Sequence, residues 1–278
     1  MLTLFTVPKG FVGHIGIIQR NAIRSWQACI PGVQIILFGS DDGVAEAAVE
    51  LQVEHGSAIR FSAYGAPMLD SVFAQARARS IHPILCFANA DIIFRGYLGP
   101  LLSLEVPFLA IGESVDAELF ESVCFADENW RSKITDRCVT RGPFALDFFF
   151  FSRDLYVDIP PFRIGRARYD NWMVWSALRQ RAMVVDVGNL LQAVHQRHGY
   201  GHLSGGQKEA YRGFDALQNE KLAGIWCNLH LHSVHDARFV LTADSLVENP
   251  RRFAFFRQWR LRLVGKIREL LGLSPFPA

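Results

Sequence analysis

The sequence predicts an α/β protein with a mostly parallel sheet flanked by helices. Apolar runs typical of strands alternate with segments of helical periodicity over the first 95 residues. Strands joined by helices in this order form parallel sheets with right-handed crossovers. The chain has 278 residues, 50% of them hydrophobic, and a mean hydropathy of +0.13. This composition supports a large buried core and excludes a largely disordered chain.

Local patterns predict each element of the first half. In chain order, the predicted strands are 2–8, 33–38 and 83–88, and the predicted helices are 15–28, 44–51 and 67–80. The run 33–38 is continuously apolar, as expected for a strand buried on both faces. Pro31 and Gly32 end the first helix.

The second half is less regular. The predicted strands are 106–112, 144–151, 183–187 and 190–195, and the predicted helices are 171–180 and 245–271. The segment 199–206 holds four glycines and is predicted to be a loop. No internal repeat is present in the sequence.

Charge and cysteine content narrow the functional classes. The formal charge of +2, from 29 Lys+Arg and 27 Asp+Glu, gives no global reason to expect nucleic acid as a partner. No stretch of about 20 apolar residues predicts a spanning helix, and the N-terminus lacks the pattern of a secretory signal. The five cysteines form no C-x-x-C pair, and their odd count fits reduced thiols. These features predict a cytosolic protein.

The ends of the predicted strands carry the first candidate site. In such sheets, ligands bind beyond the carboxyl ends of the strands, so Pro8–Lys9, Ser40–Asp42 and Asn89–Asp91 are expected to converge on one cleft. The carboxylate of Asp91 is suited to a hard divalent ion that bridges two phosphates. The alternative interpretation is that Asp91 caps a turn and Asn89 forms an Asx-turn.

Asp170 precedes a predicted helix and is the second candidate. It would act either as the N-cap of that helix or as a base that accepts a proton from an acceptor hydroxyl. The helix N-terminus favours the ionised carboxylate, which predicts a low pKa. Arg166 and Arg168 lie just before it and are candidates for phosphate contacts.

Histidines form two further groups. His195, His198 and His202 follow a predicted strand, and one of them is expected to complete a metal site begun by Asp91, with the others contacting phosphate or acceptor. Surface or capping histidines are the alternative. His230, His232 and His235 are interpreted as structural or loop residues.

The C-terminal segment differs in composition from the rest. A domain over 1–244 is expected to be followed by a basic amphipathic helix over 245–278. Its apolar stripe and the arginines within 251–271 suit either an in-plane helix on an anionic membrane surface or a helix packed on the domain or on a partner.

Five segments together resemble the GT-A nucleotide-sugar glycosyltransferases. In chain order they read TLFTVPK, ILFGSDDG, FANADIIF, GRARYDNW and HQRHGYGH, and the resemblance covers roughly residues 1–240. The triplet Asn89-Ala90-Asp91 is a degenerate version of the family's D-x-D motif. The resemblance implies a GT-A (Rossmann-like) α/β fold in which a divalent ion binds the donor diphosphate.

The resemblance also implies residue roles. Asp91 would bind Mn²⁺ or Mg²⁺ together with His195, and Asp170 would be the base, as in inverting members. Donor binding would fall to Thr6, Val7 and Pro8 at the base and ribose, Asp41 and Asp42 at the nucleoside, and Asn89, Arg166 and His198 near the diphosphate.

The implied activity is a metal-dependent hexosyl transfer for polysaccharide or cell-envelope synthesis. The sugar would move from a nucleoside-diphosphate sugar, with a UDP-sugar favoured, to a hydroxyl of a glycan or lipid-linked acceptor at the cytosolic membrane face. One alternative is a sugar-nucleotide nucleotidyltransferase, although the Gly-rich basic loop expected after its first strand is poorly represented by Pro8–Gly10 and Gly13. The other is a non-catalytic GT-A-like binding subunit, which the degenerate triplet motivates.

Overall fold

The computed structural model describes residues 2–104, 107–127, 129–135, 138–199 and 205–252. Within these residues, the strands form a nine-stranded sheet and a four-stranded sheet. The strands are β1 (Leu2–Thr6), β2 (Gln34–Phe38), β3 (Glu54–Gly56), β4 (Ile84–Ala88), β5 (Ile92–Gly96), β6 (Phe108–Ile111), β7 (Ser114–Ala117), β8 (Val139–Thr140), β9 (Phe148–Ser152), β10 (Met183–Asp186), β11 (Leu191–Gln196), β12 (Phe239–Leu241) and β13 (Leu246–Glu248). The helices are α1 (Gly13–Cys29), α2 (Val44–Glu50), α3 (Leu69–Arg79), α4 (Trp130–Thr135), α5 (Tyr169–Arg179), α6 (Gly206–Arg212) and α7 (Phe214–Leu229).

The large sheet has the strand order β13-β12-β10-β6-β9-β4-β1-β2-β3. Neighbouring strands are parallel except at β9, which runs antiparallel to β4 and β6, and at β13, which runs antiparallel to β12. Helices cover both faces, and this architecture confirms the predicted α/β class with its mostly parallel sheet flanked by helices.

Strand β9 connects the two hydrophobic cores. Its four phenylalanines are at most 1% exposed, and they alternate between the two faces as strand side chains do. Phe148 and Phe150 pack against Phe94, with ring centroids 5.4 and 5.8 Å away, in the core beside α1 and α2. Phe151 stacks on Phe73 of α3 at 5.3 Å in the core on the opposite face. A strand with apolar side chains on both faces therefore belongs to both cores.

The smaller sheet has the order β5-β11-β7-β8 and packs against α1. The indole Nε1 of Trp26 donates to the carbonyl oxygen of Ile92 at 2.8 Å, so helix and sheet are joined by a buried hydrogen bond. Only residues 89–91 separate β4 of the large sheet from β5 of the small one. Asp91 therefore lies where the two sheets meet.

The structure corrects the predicted C-terminal helix at its start. Residues 246–248 form β13, paired with β12, where the sequence pattern predicted a helix from 245. Residues 253–278, which carry the rest of that predicted helix, lie outside the described residues. No helix in the described part of the chain is long and apolar enough to cross a membrane.

Candidate active site at the end of β4

The site lies at a switch point of the large sheet. Strand β1 pairs with β2 on one side and with β4 on the other, and all three are parallel. The loops after β1 and β4 therefore leave the same edge of the sheet, which is where doubly wound sheets bind their ligands. The backbone N–H of Phe11 donates to the carbonyl oxygen of Asp42 at 2.8 Å, so the loop after β2 joins this edge.

Two histidine side chains approach the Asp91 carboxylate. His198 Nε2 lies 2.8 Å from Asp91 Oδ2, and His195 Nε2 lies 3.8 Å from the same oxygen. Strand pairing explains the position of His195. Strand β11 is antiparallel to β5, and it pairs His195 with Ile92, the residue after Asp91. The structure thus brings together the predicted metal residues Asp91 and His195, and adds His198 at a shorter distance.

The second nitrogen of each ring faces an oxygen acceptor. His195 Nδ1 lies 2.8 Å from Asp116 Oδ1, and His198 Nδ1 lies 2.9 Å from the carbonyl oxygen of Gly199. Because these oxygens hold Nδ1 of each ring, Nε2 is the nitrogen that is directed at Asp91. Histidines that bind metals are held by carboxylate or carbonyl partners in this way.

The Asp91 carboxylate has room for a further partner. Its Oδ1 is buried and has no hydrogen-bond partner among the described residues. The ligand atoms of Asp91, His195 and His198 all lie within 4.8 Å of one another. One carboxylate and two imidazoles, with one carboxylate oxygen still unpartnered, form a donor set that fits a divalent cation.

The charges around Asp91 keep it ionised. Burial alone would raise its pKa, but the hydrogen bond from His198 and the charges of His195, His198 and Lys9 lower the pKa to about 2. The pKa of His198 is raised, chiefly by its hydrogen bond to Asp91. Burial lowers the pKa of Lys9, against the attraction of Asp91. Asp91 is therefore in the ionised form that binds metals, and a metal ion bound here would displace the proton that His198 Nε2 donates to Asp91.

Two buried glutamines hold the backbone of this site. Gln19 accepts from the N–H of Lys9 at 2.7 Å and donates to its carbonyl oxygen at 2.9 Å. The amide of Gln196 donates to the carbonyl oxygens of Asp91 at 3.1 Å and Ile18 at 2.8 Å. The sequence pattern placed Lys9 at a strand end without a role and marked neither glutamine; the partners of Gln196 lie 105 and 178 positions away along the chain.

Asn89 belongs to an adjoining network. Its Nδ2 donates to Asp147 Oδ1 at 3.0 Å, and the other carboxylate oxygen of Asp147 accepts from Ser114 and Arg141. Arg141 Nε lies 3.2 Å from Asp116 Oδ1, which links this network to His195. The side chain of Asn89 thus contacts Asp147. No motif in the sequence marks Asp116, Asp147 or Arg141.

Asp170 has a pKa that the sequence analysis did not foresee. The N-cap of α5 is Arg168, so the alternative interpretation of Asp170 as N-cap is wrong. Asp170 Oδ1 accepts instead from the N–H of Asn171 at 2.9 Å. Burial and the nearby charge of Asp147 raise its pKa to about 6, against the lowering by backbone N–H groups, so the predicted low pKa is wrong as well.

The pKa of Tyr169 is affected by Asp170 and by two other carboxylates. Its hydroxyl is buried, which raises its pKa well above the usual value, and the charges of Asp170, Asp147 and Asp91 raise it further. The charges of three carboxylates thus act on the same buried hydroxyl.

The remaining predicted donor residues occupy the loops around this edge. Thr6 ends β1 and its hydroxyl is buried without a partner among the described residues, while Val7 and Pro8 follow it in the loop. Asp41 and Asp42 are exposed, and their recorded hydrogen bonds use backbone carbonyls. Arg166 is buried and donates to the carbonyl oxygen of Gly165 at 3.2 Å. His202 lies outside the described residues.

Solved structures are the only known proteins found to be similar to this chain. No family model matches the chain, and no curated protein matches its sequence. One similar solved structure is glucosyl-3-phosphoglycerate synthase from Mycobacterium tuberculosis in complex with Mg²⁺ and UDP, at 15% identity and a TM-score of 0.45, covering 71% of this chain and 72% of that one. The same enzyme in complex with Mn²⁺, UDP and phosphoglyceric acid is similar at 14% identity and a TM-score of 0.48, covering 81% and 79%.

These similarities do not assign an activity or a ligand to this chain, because identity and TM-score are low. The predicted α/β architecture of the chain is shown by its own sheet: a mostly parallel arrangement with one antiparallel strand inserted between β4 and β6, and helices on both faces.

Proposed function

We propose that this chain is a metal-assisted glycosyltransferase that moves a sugar from a nucleoside-diphosphate sugar to a hydroxyl of a glycan or lipid-linked acceptor. The observation that carries the proposal is the convergence of two histidine Nε2 atoms on the ionised Asp91 carboxylate at the switch point of the sheet. An ion held at such an edge faces the place where a nucleotide diphosphate binds.

Asp91, His195 and His198 would hold the ion. A carboxylate with imidazole nitrogens suits Mn²⁺ better than Mg²⁺, which binds through oxygen ligands. When bound, the ion neutralises charge on the departing diphosphate. The ammonium group of Lys9 interacts with the charge of Asp91 and would add a second positive group near the ion.

Asp170 would accept the proton of the acceptor hydroxyl. A base works best when its pKa is close to the working pH, and a pKa of about 6 leaves Asp170 mostly ionised at pH 7 while making it more basic than an ordinary aspartate. Removing this proton as the new bond to the sugar forms makes the acceptor oxygen a stronger nucleophile. This role corresponds to inversion at the anomeric carbon.

The donor nucleoside would contact the loops after β1 and β2. Thr6, Val7 and Pro8 would line the base and ribose, and Asp41 and Asp42 would lie at the nucleoside, with a UDP-sugar as the favoured donor. Arg166 and Asn89 would support the diphosphate side. The hydrogen bond between Phe11 and Asp42 supports this assignment because it places both loops at one edge.

A thermal-shift panel tests the donor and the metal together. The full chain is screened with UDP, GDP, ADP and their sugar derivatives, each with and without Mn²⁺. A ligand that binds the folded state at 100 times its Kd stabilises it by about 2.7 kcal/mol, which is easily measured. We expect a Mn²⁺-dependent rise in Tm with one nucleoside diphosphate, and loss of that rise in Asp91→Asn.

Asp158→Asn is the matched control, since Asp158 is exposed and lies in the loop before α5. It should keep the Mn²⁺-dependent shift. A shift that survives in Asp91→Asn would overturn the metal assignment. The absence of a shift with every nucleotide would favour a non-catalytic binding subunit, and release of pyrophosphate from a nucleoside triphosphate would favour a nucleotidyltransferase.

A further inference from the structure

A second cluster of metal-ligating side chains lies at the end of α7. His230 follows the last residue of the helix, and Asp236 ends the 3-10 turn Val234–Asp236. The ligand atoms of His230, His232 and Asp236 all lie within 4.8 Å of one another, and the two imidazole ring centroids are 4.3 Å apart. We propose that these three side chains form a second divalent-cation site, of the zinc type, separate from the Asp91 site.

His232 supplies the observation that points to a ligand. The residue is 8% exposed, and its Nδ1 is buried without a hydrogen-bond partner among the described residues. A buried polar atom normally has a partner, so one without any marks the place of a missing one. One ring nitrogen of His232 lies within 4.8 Å of a ligand atom of His230 and of a ligand atom of Asp236. A cation bound between them would satisfy it.

Asp236 is already oriented for this role. Its Oδ2 accepts from the backbone N–H of Ser233 at 2.8 Å, in a reciprocal capping box, and its Oδ1 lies 2.8 Å from His230 Nε2. The capping box fixes the carboxylate without using the oxygen that faces the histidines. The first ligand pair is therefore held in place by the turn itself.

The donor set favours zinc. Two imidazole nitrogens and one carboxylate oxygen, with an open fourth position for water, form a known type of Zn²⁺ site. A zinc ion bound by these atoms would replace the direct contact of 2.8 Å between His230 Nε2 and Asp236 Oδ1.

A zinc ion at this site would hold residues 230–236 in place beside α5. The carbonyl oxygen of His232 accepts from Asn171 Nδ2 at 2.7 Å, and the N–H of Val234 donates to the carbonyl oxygen of Pro143 at 3.1 Å. Asn171 is the neighbour of Asp170 in the first turn of α5. Zinc at this point would stabilise the segment that supports the start of that helix, a structural role that holds whatever reaction the Asp91 site performs.

Metal binding is measured in a background that lacks the first site. The full chain carrying Asp91→Asn and His198→Gln is stripped with EDTA, dialysed against Zn²⁺, and analysed for bound zinc and for Tm. We expect one zinc per chain and a rise in Tm. Adding His232→Ala should weaken zinc binding at least tenfold and abolish the rise, whereas adding His235→Gln, a change on the same turn outside the cluster, should leave both unchanged.

His230→Gln is tested as a second variant, because replacing the buried His232 could disturb the fold. The His230 side chain is 23% exposed, so a change there is better tolerated. It should weaken zinc binding to a similar degree while the circular dichroism spectrum stays that of the background. Failure of the background to bind zinc, or binding unaffected by both histidine changes, would overturn the proposal. Either result would leave the Mn²⁺-dependent nucleotide shift of the intact protein unaffected, so the two proposals fail separately.

Discussion

Asp91 and Asp170 are the two carboxylates on which the proposed function depends, and their surroundings move their pKa values in opposite directions. Both are penalised by burial. Asp91 is compensated by His198, His195 and Lys9 and has a pKa of about 2, whereas Asp170 faces the like charge of Asp147 and has a pKa of about 6. Groups whose environments separate their pKa values in this way take different chemical roles. The comparison supports the proposed division, in which Asp91 binds the cation and Asp170 accepts the proton.

The largest effect that tests this division is on the rate of transfer. Asp170→Asn removes the proton acceptor but keeps its size, so we expect kcat to fall by roughly 10²–10⁴, the usual contribution of a general base. The Mn²⁺-dependent Tm shift with the donor should persist. Steady-state kinetics and thermal shift on the same preparation measure both. Transfer within a few-fold of the unmodified rate would reduce Asp170 to a structural residue of α5.

A smaller effect is expected at the support of the metal cluster. Asp116 pairs with His195 in the ladder between β7 and β11 and holds its Nδ1 at 2.8 Å. Asp116→Asn should weaken Mn²⁺ binding by about 10–100-fold, as removal of a carboxylate behind a ligating histidine does. Isothermal titration with Mn²⁺ measures the change. Glu118→Gln is the control, because Glu118 is exposed and its side chain pairs with Arg197 among the described residues.

The smallest effect concerns stability and its dependence on pH. Because the folded-state pKa of Asp170, about 6, lies above its unfolded value, this residue lowers the free energy of unfolding as the pH rises from about 4 to 6. Asp170→Asn should therefore stabilise the protein at pH 8 by on the order of 2 kcal/mol and have no such effect below pH 4. Urea unfolding at both pH values measures it. Equal effects at the two pH values would contradict the raised pKa.

The residues at the strand ends were predictable from the sequence, whereas the residues that hold them in place were not. The apolar run before Asn89 and the polar residues after it predict a strand that ends at a site, and β4 with Asp91 follows that pattern. Asp116 has no such signal: it contacts His195, 79 positions away, only because β7 and β11 are neighbours in the second sheet. Contacts that depend on strand pairing are not encoded in local spacing.

Local rules also failed where distant groups outweigh them. The start of α5 favours an ionised carboxylate, but burial and Asp147, which comes from a different element, reverse the effect on Asp170. Helix α7 escaped prediction because Gly224, with φ of 75°, interrupts its helical geometry and its apolar residues face both core and solvent. The three short strands of the second sheet that precede β11 offer too few residues for a clear alternation of apolar and polar positions.

The phenylalanine strand β9 has a consequence for the synthesis of this protein. β4 is complete long before β9 is made, so during translation its open edge waits for a partner for a time on the order of seconds. Four consecutive phenylalanines without a charge among them are themselves prone to pair with other chains. The newly made polypeptide is therefore vulnerable to aggregation until β9 pairs with β4, and yield in expression should depend on translation speed and chaperone supply up to that point.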